Sequence, residues 1–155
     1  MFCRFDNELH TNWNPMNLHD INELTRVAYN NTAQKYHDYF KNEIEQKEYD
    51  RGILDKFSAL LAKESLICDV GCGPTGQIGK YLCDKGHKVI GIDISEKCIE
   101  LATRQNPNIS FRVMDMMKTD FEDQTFEWII SFYSIIYTPK VYLNKMFKEF
   151  NRILK

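Results

Sequence analysis

The chain has no apolar run long enough to cross a bilayer, and its opening residues, Met1-Phe2-Cys3-Arg4-Phe5-Asp6, lack the long apolar core of a secretory leader. Lys and Arg are not concentrated anywhere. Twenty basic and 22 acidic side chains leave a formal net charge of −2. That balance excludes a nucleic-acid or membrane surface as the main partner and favours a small molecule. The five cysteines, at positions 3, 68, 72, 83 and 98, form no CxxC pair, and their odd number suits reduced thiols and a cytoplasmic protein. Cys68, Cys72 and His87 have no fourth ligand spaced nearby, so no metal is expected. A chain of 155 residues, 43% hydrophobic and 27% charged, can bury a sizeable core within one domain.

What the chain does have is the stretch Leu66-Ile67-Cys68-Asp69-Val70-Gly71-Cys72-Gly73-Pro74-Thr75-Gly76. A short apolar run carrying an acid flows into closely spaced glycines, the pattern of a buried strand turning tightly into a helix. Gly71 and Gly73 let the backbone bend and let a ligand approach the main chain, and Cys72 sits between them. The spacing Gly71-x-Gly73-x-x-Gly76 also fits a dinucleotide fingerprint. Asp69 separates the two readings, because a nicotinamide-binding strand would place an apolar side chain there. A carboxylate at that position suits a cationic ligand such as S-adenosylmethionine, unless it merely caps the following turn.

Two further runs end in acids. Lys88-Val89-Ile90-Gly91-Ile92-Asp93 leads to a carboxylate suited to a ribose diol, since an ionised oxygen accepts strong hydrogen bonds from hydroxyls. Ser95 is the expected N-cap of the next helix. Ile109-Ser110-Phe111-Arg112-Val113-Met114 leads to Asp115-Met116, where the acid can accept from an adenine amino group and the thioether can pack on the ring.

Together these segments resemble the class I S-adenosylmethionine-dependent methyltransferases, particularly the small-molecule branch of types 11 and 25, over about residues 25 to 155. Asp69-Val70-Gly71-Cys72-Gly73 resembles the glycine-rich motif, Gly91-Ile92-Asp93-Ile94-Ser95 the second-strand acid and its neighbour, and Asp115-Met116 the adenine-facing pair. Thr125-Phe126-Glu127-Trp128-Ile129-Ile130-Ser131 resembles the fourth strand, followed by Phe132-Tyr133-Ser134-Ile135-Ile136-Tyr137-Thr138-Pro139. The pattern departs from the family at Gly76, one position late, at Glu127, where Asp is usual, and at Tyr137, where His is frequent.

The resemblance implies an α/β fold, a Rossmann-like doubly wound parallel sheet with strand order 3-2-1-4, preceded by a helical extension. Residues 1–64 would be an N-terminal arm and helical lid, and 65–155 the cofactor-binding core. It implies S-adenosylmethionine as cofactor, held by Asp69, Gly71, Cys72, Gly73, Asp93, Ile94, Asp115, Met116 and Phe132. Tyr29, Tyr36 and Tyr137 would face an unidentified small-molecule acceptor. Direct methyl displacement needs no covalent protein intermediate, so no residue is assigned a catalytic role. The alternatives are a cofactor-binding remnant without turnover and a nicotinamide-dependent oxidoreductase.

The family continues past the position of Lys155 with further strands, so a truncated chain is expected to leave strand four as a bare apolar edge, open to a homodimer or a partner chain. Along the chain, residues 1 to 17 read as a loose arm and helix is expected from Leu18. Ile53, Leu54, Phe57, Leu60 and Leu61 should form one apolar stripe, with 41 to 48 exposed. Helices are expected from Gly76 to about Gly86, from Ser95 to about Gln105, and after Pro139 with Leu143, Met146, Phe147, Phe150 and Leu154 on one face.

Overall fold

A computed structural model describes residues 17–155, apart from the side chain of Tyr137; the expected arm falls almost wholly on residues outside that range. Three helices come first, α1 (Leu18–Phe40), the single turn α2 (Glu43–Gln46) and α3 (Glu48–Leu60). Strands and helices then alternate as β1 (Leu66–Val70), α4 (Gln77–Asp84), β2 (Lys88–Asp93), α5 (Glu96–Gln105), β3 (Ser110–Val113), β4 (Trp128–Ile130) and α6 (Lys140–Ile153). All ladders are parallel and the sheet order is β3-β2-β1-β4, the expected doubly wound α/β arrangement. The order reverses between β1 and β4, which opens a crevice beyond the carboxyl ends of those strands.

Each face of the sheet is covered, which is why β1 reads as a nearly continuous apolar run. Cys68, Val70 and Ile92 pack with Phe126, Met146, Phe150 and Ile153 on the α6 side. Ile67 and Val89 pack with Leu54, Ile78 and Leu82 on the side of α3 and α4. Local chemistry sets the helix ends. Asn17 caps α1 by accepting from the Asp20 N–H at 3.1 Å, and Ser95 caps α5 by accepting from the Cys98 N–H at 3.0 Å, as its sequence position suggests. Helix α1 lies against α5 through Ala33, Cys98, Leu101 and Tyr29, and Asn30 Oδ1 accepts from Ser95 Oγ and the Lys97 N–H.

The structure corrects three details. The inward row of α3 is Asp50, Leu54, Phe57 and Leu61, spaced four, three and four apart, whereas Ile53 and Leu60 are exposed. The stripe is rotated because α3 turns Asp50 inward. Within 41–48, Ile44 is buried rather than exposed, packing with Leu54 and Ile78. Phe147 on α6 is also exposed, and Ile153 takes the inward place.

The outer side of β4 is not wholly bare. Leu154 forms a parallel bridge with Phe126, whose N–H donates to the Ile153 carbonyl and whose carbonyl accepts from the Lys155 N–H. Glu127, the departure from the family pattern, is structural: its carboxylate accepts from the Leu66 N–H at 2.6 Å and pairs with Lys155.

Candidate functional site

The loop after β1 is built against the end of β2. Gly71 (φ +72°) and Cys72 both donate their N–H groups to the Ile92 carbonyl, at 2.8 and 3.0 Å. Ser134, after β4, closes the loop from the other side, since a Cβ on Gly71 would lie 2.3 Å from Ser134 Cβ. Gly73 differs. It too has a left-handed φ, of +64°, but the space a Cβ would occupy is open, with no atom within 4 Å. The backbone there forms a cradle that lines the cleft and leaves room for a ligand to approach it closely.

Three carboxylates surround the cradle. Asp69 is buried, 1% exposed, and its Oδ2 accepts from the Gly79 N–H at 3.1 Å, so it does cap the first turn of α4 while also lining the cleft. Burial pushes its carboxyl up to about 7; the Gly79 N–H opposes the shift and the neighbouring Asp93 charge adds to it. Asp93 accepts from the Gly73 N–H at 3.0 Å on Oδ2 and from the Ser95 N–H at 2.9 Å on Oδ1. Burial pushes this carboxyl up as well, opposed by the N–H groups of Ser95, Gly73 and Ile94. A carboxylate oxygen accepts about two hydrogen bonds, so each oxygen of Asp93 keeps capacity for a hydroxyl. Asp115 accepts from the Met117 N–H at 2.8 Å on one oxygen and from Asn22 Nδ2 at 2.6 Å on the other.

The other expected residues join the same cleft. Cys72, Ile94, Met116 and Phe132 line it, Met116 backed by the α6-side core and Phe132 by the α3/α4-side core. Burial pushes the Cys72 thiol well up, which disfavours the thiolate form. Tyr29 and Tyr36 line the cleft from α1. Tyr137 closes a 3₁₀ turn, Ile135–Tyr137, and its side chain lies outside the described residues. Cys68 packs in the α6-side core, and His87 lies at the opposite end of β2 from the cleft with Nε2 2.8 Å from Ser58 Oγ.

Sequence reasoning missed Asn22, Glu43, Lys47, Asp50 and Tyr133, all of which line the cleft. Asp50 alone carried a signal, standing four residues before Leu54 in the inward row of α3.

A glycine cradle ringed by acid-tipped strands at the reversal point of a doubly wound sheet defines a nucleoside-binding α/β fold of the methyltransferase type. The model of the methyltransferase-domain family matches residues 67–155, more than half of the chain, and the chain belongs to that family. Among similar proteins, the sterol 4-C-methyltransferase strm-1 of Caenorhabditis elegans is 35% identical over 99 residues, 59% of this chain and 29% of the relative. The PH0226 protein of Pyrococcus horikoshii has a crystal structure that is 31% identical with a TM-score of 0.63, over 78% of this chain and 61% of that one. Magnesium protoporphyrin IX methyltransferase from Synechocystis, solved with bound S-adenosylmethionine, shares the fold at a TM-score of 0.69 and 20% identity, over 88% of this chain and 73% of that one. The chain spans 29 to 40% of the length of the curated relatives it matches.

Proposed function

We infer that this chain binds S-adenosylmethionine and directs its methyl group to a small-molecule acceptor. The observation that carries the reading is the open space beside Gly73, next to an Asp93 carboxylate with hydrogen-bonding capacity to spare. Bound there, the cofactor supplies a methyl group activated on a sulfonium. Asp93 receives the ribose hydroxyls, Ile94 and Met116 flank the adenine, and Asp115 accepts from its amino group. Gly71, Cys72 and Gly73 give the backbone surface, Phe132 closes the side below β4, and the Asp69 charge faces the cationic end of the ligand. Helices α1 to α3 act as the helical lid over the core of residues 65–155, with Tyr29 and Tyr36 on the acceptor side. Fixing acceptor and methyl in line contributes up to roughly 7 to 11 kcal/mol, so positioning suffices without a nucleophilic side chain. Relatives named for sterols support a small-molecule acceptor.

Asp69 gives this reading a pH signature. Its folded pKa, about 7, lies above the ordinary value of 3.8, so the empty protein loses stability through this group as pH rises from the lower value to the upper. The ionised form is the one that attracts a cationic ligand. Affinity for S-adenosylmethionine is therefore expected to rise about tenfold between about pH 6 and about pH 8 and then level off. Asp69→Asn should flatten the rise and raise the melting temperature of the ligand-free protein at the upper pH. Calorimetric titrations across that range check this, and a profile identical in the two proteins contradicts it.

No helix among the described residues is long and apolar enough to cross a membrane. Cys68, Cys72, Cys83 and Cys98 are free thiols, which supports a cytoplasmic enzyme. Trp128 is 40% exposed on β4, and beyond the Phe126 bridge the outer edge of that strand has no pairing partner among the described residues. That edge supports a homodimer. Light scattering is expected to give twice the 18.4 kDa chain mass; a stable monomer would remove this part of the reading.

A further inference from the structure

The same cleft has lining residues that the cofactor reading leaves without a role. Helices α2 and α3 and the turn between them bring Glu43, Lys47 and Asp50 there, and the segment after β4 brings Tyr133. Asp50 is 5% exposed. Its nearest donors are the Tyr133 hydroxyl, at 3.4 and 3.5 Å from its two oxygens, and Lys47 Nζ at 3.7 Å. A well-formed O–H···O⁻ bond is about 2.5 to 2.7 Å long, so this buried carboxylate is held only by long contacts and keeps acceptor capacity toward the cleft. Lys47 is shared: it pairs more closely with Glu43, at 2.7 Å, than with Asp50, and stands 5.0 Å above the Tyr133 ring. Tyr133 holds a left-handed φ of +58°, which a bulky residue adopts only where its surroundings demand it.

Leaving a buried carboxylate short of donors is unfavourable, and the deficit is removed when a ligand brings an N–H. The charge balance narrows the ligand further. Among the described residues that line the cleft, Glu43, Asp50, Asp69, Asp93 and Asp115 are acids, and Lys47, already paired, is the only base. A carboxylate or phosphate on the acceptor would meet repulsion without a free cation to answer it. An amine would meet attraction.

Resting on the methyl-transfer reading above, we propose that Asp50 determines acceptor specificity and that the acceptor is a small amine, drawn in as its ammonium form, whose N–H groups Asp50 receives. One proton passes to the Asp50 carboxylate, and the freed lone pair forms the N–CH3 bond as the S–CH3 bond breaks and the sulfonium becomes a neutral thioether. Tyr133 stands beside the amine, and Lys47 competes with it for Asp50.

The test uses the protein loaded with S-adenosylhomocysteine, the cofactor without its methyl group, titrated with benzylamine, benzyl alcohol and benzoate. Benzylamine is expected to bind at least about tenfold tighter than benzyl alcohol, with benzoate weakest. Asp50→Asn should abolish that preference while changing S-adenosylhomocysteine affinity by less than about twofold, because Asp50 is assigned no contact with the cofactor. Lys47→Met should move the other way and tighten benzylamine binding by about threefold as a competing cation is removed. Benzoate or benzyl alcohol matching benzylamine, no binding of any probe, or an Asp50→Asn protein that keeps the preference would each overturn the proposal. Should Asp50→Asn fail to fold, an unchanged or weaker benzylamine affinity in Lys47→Met overturns it instead. Failure of S-adenosylhomocysteine itself to bind would sink the methyl-transfer reading and this proposal with it, whereas cofactor binding without amine preference sinks this proposal alone.

Discussion

Asp93→Ala is expected to weaken S-adenosylmethionine binding by on the order of a hundredfold, because two charge-assisted hydrogen bonds to ribose hydroxyls are lost together. The same change frees two backbone donors. Gly73 loses its acceptor at 3.0 Å and Ser95 loses its own at 2.9 Å, so the cradle slackens just where the ligand enters. Asp93→Asn separates the two effects. An amide can still accept from one N–H and present one acceptor to the ribose, so its affinity should fall between wild type and alanine, with most of the stability retained. Calorimetry on the three proteins reads the affinities and urea unfolding reads the stabilities. An Asp93→Ala protein that binds the cofactor as tightly as wild type would mean that the ribose lies elsewhere.

Gly71→Ala is expected to destabilise the fold by about 3 kcal/mol or more, the sum of a left-handed backbone and an overpacked contact. The new methyl would fall 2.3 Å from Ser134 Cβ and 2.9 Å from Ser134 Oγ. Ser134 cannot easily give way, because its hydroxyl donates to the Val70 carbonyl at 2.7 Å and ties the segment after β4 to the end of β1. Adding Ser134→Gly should relieve the clash and leave the backbone cost of about 1 to 2 kcal/mol, so the pair should couple strongly in a double-mutant cycle. Urea midpoints for the two singles and the double decide it. Additive effects would show that the two residues do not touch.

The parts legible in the sequence were those where local chemistry and chain order agree. Acids at or just past the carboxyl ends of three strands, Asp69, Asp93 and Asp115, announced the crevice. For β1 the apolar run before the acid reflects a strand buried on both faces, whereas β3 is largely exposed. Ser95 announced the start of α5. The family resemblance supplied the strand order, which the ladders bear out. What stayed hidden depends on which way a helix is turned. Ile53 and Leu60 belong to the apolar pattern of α3 as well as Leu54 does, yet only the packed structure shows Asp50 taking the inward row in their place. The approach of Tyr133 to Asp50 joins residues 83 apart, and that of Asn22 to Asp115 residues 93 apart. Neither leaves a periodic trace. Glu127 was read as a departure from the family, but its tie to the Leu66 N–H is a long-range contact that spacing cannot show.

The most direct measurement is a calorimetric titration of the folded protein with S-adenosylmethionine and, separately, with NAD. Saturable one-to-one binding of S-adenosylmethionine and no heat from NAD is the expected result. No binding of S-adenosylmethionine by protein whose cooperative melting proves it folded, or binding of NAD in its place, would contradict the assignment of the cleft.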